Sequence, residues 1–393
     1  MAITLLINPG SSSKKYSLIE DGRVVMDMRF ERDAENIKFC LQLNGREQKC
    51  EDPTLEQYNT AIRFVLDTAL REKIIKNLQD ITRVGIRIVA PGTFFQSHRL
   101  IDGLFIHKLR EREPVAPLHI PPTLREVELV KMELPQAMLV GVSDSAFHST
   151  MPTYARDYSI ELKDTDMYDI HRFGYHGISN ASVVRRTVSV FSEIPARMVI
   201  CHVGSGVSMT AVHNGESIDT TMGFSPGSGL VMGSRAGDIE SGALLELMRA
   251  KNLHLFDAQT YIQTRGGLKG LTGEADFRHI LERLSQNDEV ATEAMNLFVY
   301  HFQKALGGFV VALGGLDAIV LTATAVERST TLRTLLLKNL EWAGINIDNT
   351  KNDALVGHDG IINVADSKVK VAVIRTNEID EMYRVTNDFL VPE

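Results

Sequence analysis

Two short turns in the sequence carry residue types suited to holding an anion. The first reads Asn8-Pro9-Gly10-Ser11-Ser12-Ser13-Lys14-Lys15 and the second His202-Val203-Gly204-Ser205-Gly206. Small residues let backbone N–H groups approach an anion, hydroxyls such as that of Ser12 add donors, and a lysine such as Lys15 adds charge. Neither turn is a P-loop, because the G-x-x-x-x-G-K-[ST] spacing is absent. One such turn alone is usually just a turn. Two of the same type make phosphate binding a working expectation.

Charged and imidazole groups stand at the ends of apolar runs. Arg87 interrupts Val84-Gly85-Ile86-Arg87-Ile88-Val89, and an arginine among aliphatics is costly to bury without an anionic partner. The alternative is a strand with one wet face, or a structural ion pair. Asp144 follows Met138-Leu139-Val140-Gly141-Val142, at the carboxyl end of an expected strand, where α/β folds place their ligands. Such an aspartate can hold Mg²⁺ or merely cap a turn. His176 sits between Gly174-Tyr175 and Gly177, ahead of an expected helix, a setting equally suited to a structural histidine. The stretch from Met222 to Asp238 holds five glycines and Arg235, too much permissive backbone for a plain connection. Glu378 opens the last expected helix, where the macrodipole already favours an acid.

The elements that must position these groups show a repeat. Leu5 to Asn8, Lys14 to Ile19 and Arg23 to Phe30 are apolar runs separated by a small-residue turn and by Asp21-Gly22, an antiparallel meander. The design returns in Met198 to His202, Val207 to Val212 and Glu216 onward, with Asn214-Gly215 as the tight turn. Two such meanders, each heading half of the chain, suggest a duplicated α/β domain. Helical period covers Thr54 to Asn77, Thr123 to Met132, Ser179 to Val190, Ser241 to Arg249 and Asp288 to Leu313. Further strands are expected at Arg83 to Val89, Ala137 to Val142, Asp317 to Thr322 and Val369 to Ile374, and a last helix starting near Thr376-Asn377-Glu378. Strands interleaved with helices give an α/β class. A boundary is expected near residue 150, so that residues 1–150, joined by about 376–393, form one lobe and residues 151–375 the other.

The bulk properties exclude several classes. A chain of 393 residues with 44% hydrophobic and 23% charged residues is globular and long enough for two or three domains. Its net charge of −8 offers no broad cationic field for nucleic acid. The three cysteines, Cys40, Cys50 and Cys201, form no C-x-x-C pair and suit a reduced compartment without a disulfide framework. The first residues read as a strand and not a leader, and the apolar stretch Gly307 to Val326 is broken by Gly314-Gly315 and Asp317. A cytoplasmic protein without a membrane span is expected.

Taken together, these motifs resemble the acetate kinase (acetokinase) family of the sugar kinase–Hsp70–actin superfamily. They run in family order: Asn8 to Ser13, Arg87-Ile88-Val89, Ala116-Pro117-Leu118-His119, Asp144 to His148, Arg172 to Gly177, His202 to Gly206, Asp219 to Phe224, Gly233 to Ile239 and Thr376-Asn377-Glu378. The resemblance implies a duplicated ribonuclease-H-like fold with central mixed sheets, a cleft between two lobes and a homodimer. It implies transfer of a phosphoryl group from ATP to acetate or another short carboxylate, with Mg²⁺ or Mn²⁺. Arg87 and Arg235 would then bind carboxylate and phosphoryl oxygens, His176 would stabilise the moving phosphoryl group, and His119 would line the site. Asn8, Asp144 and Glu378 would hold or orient the metal–phosphate complex. Val89, Leu118, Tyr175 and Pro226 would form the acyl pocket, with Tyr175 where phenylalanine is usual. Ser12, Lys15, His202, Gly204, Ser205 and Gly206 would meet the phosphates.

The departures gather on the donor side. The family's G-I-G-E-N loop is here Thr324-Ala325-Val326-Glu327-Arg328, and branched side chains in place of glycine should crowd a base or ribose. The S-S-D-x-R segment survives only as Asp276 and Arg278, with Phe277 between them. Ser205 replaces an asparagine, Ala90-Pro91 a His-Gly pair, and Ile120 the asparagine after His119. A donor without a base, such as pyrophosphate, is therefore an alternative to ATP, with Arg328 a candidate partner for its phosphate. A non-catalytic nucleotide-sensing or scaffold relative is the alternative of another class. A sugar kinase would need a carboxylate base and a hydroxyl-rich pocket, which the apolar set above does not supply.

Overall fold

The computed structural model describes residues 3–10, 13–33 and 36–390. Ser12 lies outside them. The chain forms two compact units, one running to Ala146 and resuming at Glu378, the other spanning Phe147–Asn377.

The first unit is built on eight strands: β1 (Ile3–Pro9), β2 (Ser13–Glu20), β3 (Arg23–Asp33), β4 (Asn36–Leu43), β5 (Lys49–Glu51), β6 (Ile81–Ile88), β7 (Arg99–Leu100) and β8 (Met138–Ser143). Their order is β5-β4-β3-β2-β1-β6-β8-β7. The second unit holds β9 (Arg197–Val203), β10 (Val207–His213), β11 (Glu216–Thr220), β12 (Ala318–Thr322), β13 (Gly360–Ile361) and β14 (Lys370–Val373). They are ordered β11-β10-β9-β12-β14-β13. Three antiparallel strands followed by two parallel ones recur in both, as β3-β2-β1-β6-β8 and β11-β10-β9-β12-β14. The fold is thus a duplicated α/β architecture with two mixed sheets.

Local chemistry explains the matching hairpins. Glu20 pairs with Arg23, and His213 with Glu216, leaving two-residue loops. Asp21 and Gly22 take φ of 47° and 77°, and Asn214 and Gly215 take 51° and 88°. A tight hairpin of this hand needs positive φ at both positions, which Asp-Gly and Asn-Gly tolerate best. The inner strands β1, β9 and β12 are buried along almost their whole length, as expected of strands covered on both faces.

Two helix expectations need correction. The stretch from Thr54 to Asn77 is not one helix but Leu55–Asn59 and Ala61–Arg71. Thr60 leaves helical geometry between them, its hydroxyl bonded to the Glu56 carbonyl, and Lys73 at φ 57° ends the second. The helix expected from Thr123 begins at Ile120. Pro121 and Pro122 fall in its first turn, where no N–H is required.

The cysteine reading is also corrected. Cys40 and Cys50 are disulfide-bonded, and Cys201 is free and buried. Cys40 and Cys50 lie directly opposite each other on antiparallel β4 and β5, a pairing set by strand register and not by any short cysteine motif. Among the described residues no helix is long and apolar enough to cross a membrane.

Candidate active site

In the first unit the predicted residues gather at the carboxyl ends of the parallel strands. Asn8 and Arg87 are the penultimate residues of β1 and β6, and Asp144 follows β8. Register brings the last two together, since Arg87 pairs with Val142 and Ile88 with Ser143. Arg87 Nη2 donates to Asp144 Oδ2 at 2.9 Å, and Nη1 lies 3.7 Å from Glu378 Oε2. Burial alone would depress the arginine's pKa, but the Asp144 and Glu378 carboxylates more than reverse this and raise it. Its charge is therefore permanent. Arg87 Nε is buried without a protein partner among the described residues, so the guanidinium keeps a donor for an anion.

The Asp144 backbone is held from behind. Its N–H donates to the Ile88 carbonyl at 2.9 Å. The Ser143 N–H donates to His98 Nδ1 at 3.1 Å, and the Ser143 hydroxyl to the Phe95 carbonyl. Burial, helped by Arg384, pushes the His98 pKa down to about 4, so this imidazole is a neutral acceptor at ordinary pH.

The two lysines of the first turn separate, because neighbours on a strand face opposite ways. Lys14 is buried, pairing with Glu126 at 3.1 Å and donating to the Tyr58 carbonyl. Tyr16 donates to the same Glu126 at 2.7 Å. Lys15 is exposed and is the lysine left for a ligand. Val89, Leu118 and His119 are half-buried, with His119 at the N-cap of the helix Ile120–Glu133.

In the second unit His176 caps the helix Gly177–Phe191 in the left-handed region, φ 58°. Its ring stacks on His202 with centroids 4.0 Å apart and planes 24° from parallel. His176 Nδ1 is 2.9 Å from Ser208 Oγ, and His202 Nδ1 is 2.9 Å from Ser179 Oγ. A methyl group built on Gly206 would lie 3.1 Å from His176 Nε2 and 3.6 Å from Arg235 Nη1, so both groups border the same glycine. The Gly204 N–H donates to the Gly206 carbonyl, closing the turn, and the Gly233 N–H donates to that of Ser205. Arg235 Nη1 also donates to the Pro226 carbonyl at 2.9 Å, and the buried Tyr175 hydroxyl to that of Phe224 at 2.7 Å. The glycine-rich stretch is thereby anchored at two carbonyls two residues apart.

The donor-side residues divide. Asp276 caps the helix Phe277–Ser285 and grips Arg278 through an exposed ion pair, whereas the Phe277 ring is core, edge-on to Phe298. Val326 is fully buried and Thr324 and Arg328 are exposed, so the crowding expected of both branched residues rests on Thr324 alone. Glu327 Oε1 accepts from the N–H groups of Ala323 and Thr376, at 2.8 and 3.0 Å. The fully buried Arg333 donates to the carbonyls of Val326, Asn352 and Leu355. Ser208, Arg333 and His98 carry no motif in the sequence; Ser179 reads there only as an expected helix cap, which the structure instead assigns to His176. For Ser208 a signal existed, a hydroxyl two positions after the Gly-Ser-Gly turn that alternates with Thr210 along one face of the strand.

The Acetokinase family model matches residues 3–383. The chain belongs to the acetokinase family. It is 36% identical over 381 residues to the acetate kinase of Carboxydothermus hydrogenoformans, covering 95% of this chain and 96% of the relative. Among solved structures it is similar to the acetate kinase of Porphyromonas gingivalis, with TM-score 0.87, 31% identity and coverage of 98% and 99% of the two chains. It also resembles a propionate kinase of Francisella tularensis, with TM-score 0.92, 28% identity and coverage of 99% and 100%. Membership accounts for the order of motifs across the whole acetokinase chain, including those distributed over both units.

Proposed function

We propose that this acetokinase family member reversibly transfers the terminal phosphoryl group of ATP to acetate or a similarly short carboxylate, giving an acyl phosphate. The observation that carries the reading is the meeting of His176 Nε2 and Arg235 Nη1 at Gly206. Phosphoryl transfer asks the protein mainly for positioning and for positive charge on the equatorial oxygens. Arg235 and His176 supply the charge and the donor, and Gly204, Ser205, Gly206 and His202 border the phosphates. Arg87, permanently cationic, holds acceptor or phosphoryl oxygens. The carboxylate acceptor is ionised at neutral pH, so no strong base is needed. Val89, Leu118 and His119 of the first unit, and Tyr175 and Pro226 of the second, are the residues we assign to the acyl group, each by the family motif that carries it.

A divalent cation fits the first unit's donor set, which is oxygen-only. Asn8, Asp144 and Glu378 offer the hard ligands Mg²⁺ prefers, and Mg²⁺ is commonly held by one or two carboxylates plus substrate phosphate. Among the described residues no group of three or more His, Cys, Asp or Glu side chains is placed to hold a metal ion by itself. When bound, the ion neutralises phosphate charge. A cytoplasmic setting and a homodimer belong to the same proposal; in the cytoplasm Cys40 and Cys50 would be kept reduced.

A donor lacking a base, such as pyrophosphate, is the second reading, favoured by the exposed Thr324 and Arg328 in place of the family's glycine and asparagine. Trapping acyl phosphate with hydroxylamine, on acetate with ATP, GTP and pyrophosphate, tests both. Signal with ATP supports the first reading, and signal with pyrophosphate alone replaces it by the second. No signal with any donor, or full turnover in Arg235→Ala, overturns the kinase assignment; Arg235→Ala should lose on the order of 10³-fold.

A further inference from the structure

We propose that Ser208 is a positioning residue for His176, a role that rests on the phosphoryl-transfer reading above. Its hydroxyl is 2.9 Å from His176 Nδ1. Ser208 is buried near the start of β10, directly opposite His202. Opposed residues of an antiparallel pair project to the same face of the sheet, so Ser208 and His202 together form the floor on which the His176 ring rests. The stack on His202 fixes the plane of that ring, and the bond to Ser208 fixes its rotation within the plane. With both set, Nε2 faces Gly206 and Arg235.

Neighbouring contacts show that this is a built support. Ser179, one turn into the helix that His176 caps, bonds His202 Nδ1. Asn180 Nδ2 donates to Thr210 Oγ1 at 3.1 Å, and Thr210 bonds Thr220. Ser179, Asn180, Thr210 and Thr220 are all buried. Buried polar groups without partners are costly, so this row of hydroxyls and an amide locks the helix N-terminus onto β10.

The choice of serine has a chemical consequence. A hydroxyl can donate to a bare Nδ1 or accept from a protonated one, so Ser208 holds the ring in either charge state. A carboxylate at this point would favour the imidazolium and bias its charge. Ser208 therefore sets direction without setting charge, which suits a group that meets phosphoryl oxygens in both directions of a reversible transfer.

The test is a double-mutant cycle of Ser208→Ala with His176→Ala in the hydroxamate assay, together with ¹⁵N imidazole spectra of histidine-labelled protein. Ser208→Ala should lower kcat by about 10- to 100-fold, the scale of losing an orienting partner, with KM for acetate and donor nearly unchanged. Ser208→Thr, which keeps the hydroxyl, should recover most of the loss. In the His176→Ala background Ser208→Ala should cost less than about twofold. An equal loss in both backgrounds, or none in the wild type, overturns the proposal. In the spectra Ser208→Ala should move the His176 Nδ1 resonance and leave His148, held by Ser217 and the Tyr175 carbonyl, in place. An unmoved His176 signal overturns it as well. The spectra need no turnover, so failure of the kinase reading and failure of this one are separately visible.

Discussion

Arg87 and Asp144 form a charge-assisted pair, Nη2 to Oδ2 at 2.9 Å, with the aspartate side chain only 1% and the arginine side chain 16% exposed. Parallel register brings them together although they lie 57 residues apart in sequence. Removing Asp144 leaves the Arg87 guanidinium with only its longer contact to Glu378, and breaking a buried pair from one side costs up to about 3–5 kcal/mol. Asp144→Ala should therefore lower the unfolding free energy by several kcal/mol in urea titrations, whereas Asp144→Asn should lower it less. Arg87→Ala should cost turnover on the order of 10²-fold or more, as loss of a preorganised donor does. An Arg87→Ala enzyme within tenfold of wild type would reduce the pair to a structural ion pair.

His98 makes the acid sensitivity of the first unit predictable. Its Nδ1 must stay unprotonated to accept the Ser143 N–H, and burial holds its pKa down to about 4 against about 6.5 in the unfolded chain. The unfolded state thus binds the extra proton between those values. Stability is fully present above pH 6.5 and falls as pH drops towards 4, by roughly 2–3 kcal/mol between pH 7 and 4.5. His98→Asn, an acceptor that does not titrate, should flatten that slope. Urea titrations at the two pH values read it, and an unchanged slope would remove His98 as the source.

How far the sequence reaches depends on the span over which each feature is decided. Both hairpins are local, since Asp21-Gly22 and Asn214-Gly215 dictate the turn and the flanking runs pair with their neighbours. The placement of Asn8, Arg87 and Asp144 at strand ends follows from apolar runs that stop. The supports of the site are decided by packing instead. Ser208 lies 32 residues from His176 and Ser143 45 from His98, and neither pairing leaves a periodic trace. Arg333 reads in sequence like any surface arginine and is fully buried. Val326 looked like an obstruction because the sequence does not tell which way its side chain turns.

The Cys40–Cys50 bond closes a short loop at the edge of the first sheet, remote in the strand order from the ends of β1, β6 and β8. By loop entropy it contributes at most roughly 2–3 kcal/mol. Reduction should therefore loosen β5 and lower stability by no more than that, with turnover within about twofold. Thiol titration under denaturing conditions should count one thiol, Cys201, in oxidised protein and three after reduction. Loss of activity on reduction would show that the edge strands matter to catalysis after all.

Tyr175 and Arg235 hold two carbonyls of one turn, those of Phe224 and Pro226. Arginine is needed there on the phosphoryl-transfer reading, but the tyrosine hydroxyl is an addition to a position where phenylalanine would fill the same space. Tyr175→Phe leaves the Phe224 carbonyl without that donor, a cost of about 1 kcal/mol, and frees the segment that carries Pro226. If Pro226 lines the acyl group, the pocket should relax and tolerate one more methylene. A methylene in an apolar pocket is worth about 1–3 kcal/mol, so the propionate-to-acetate ratio of kcat/KM should rise by about three- to tenfold. Measured across acetate, propionate and butyrate, an unchanged ratio in a destabilised protein would make the hydroxyl a brace of the fold and take Pro226 out of the acyl pocket.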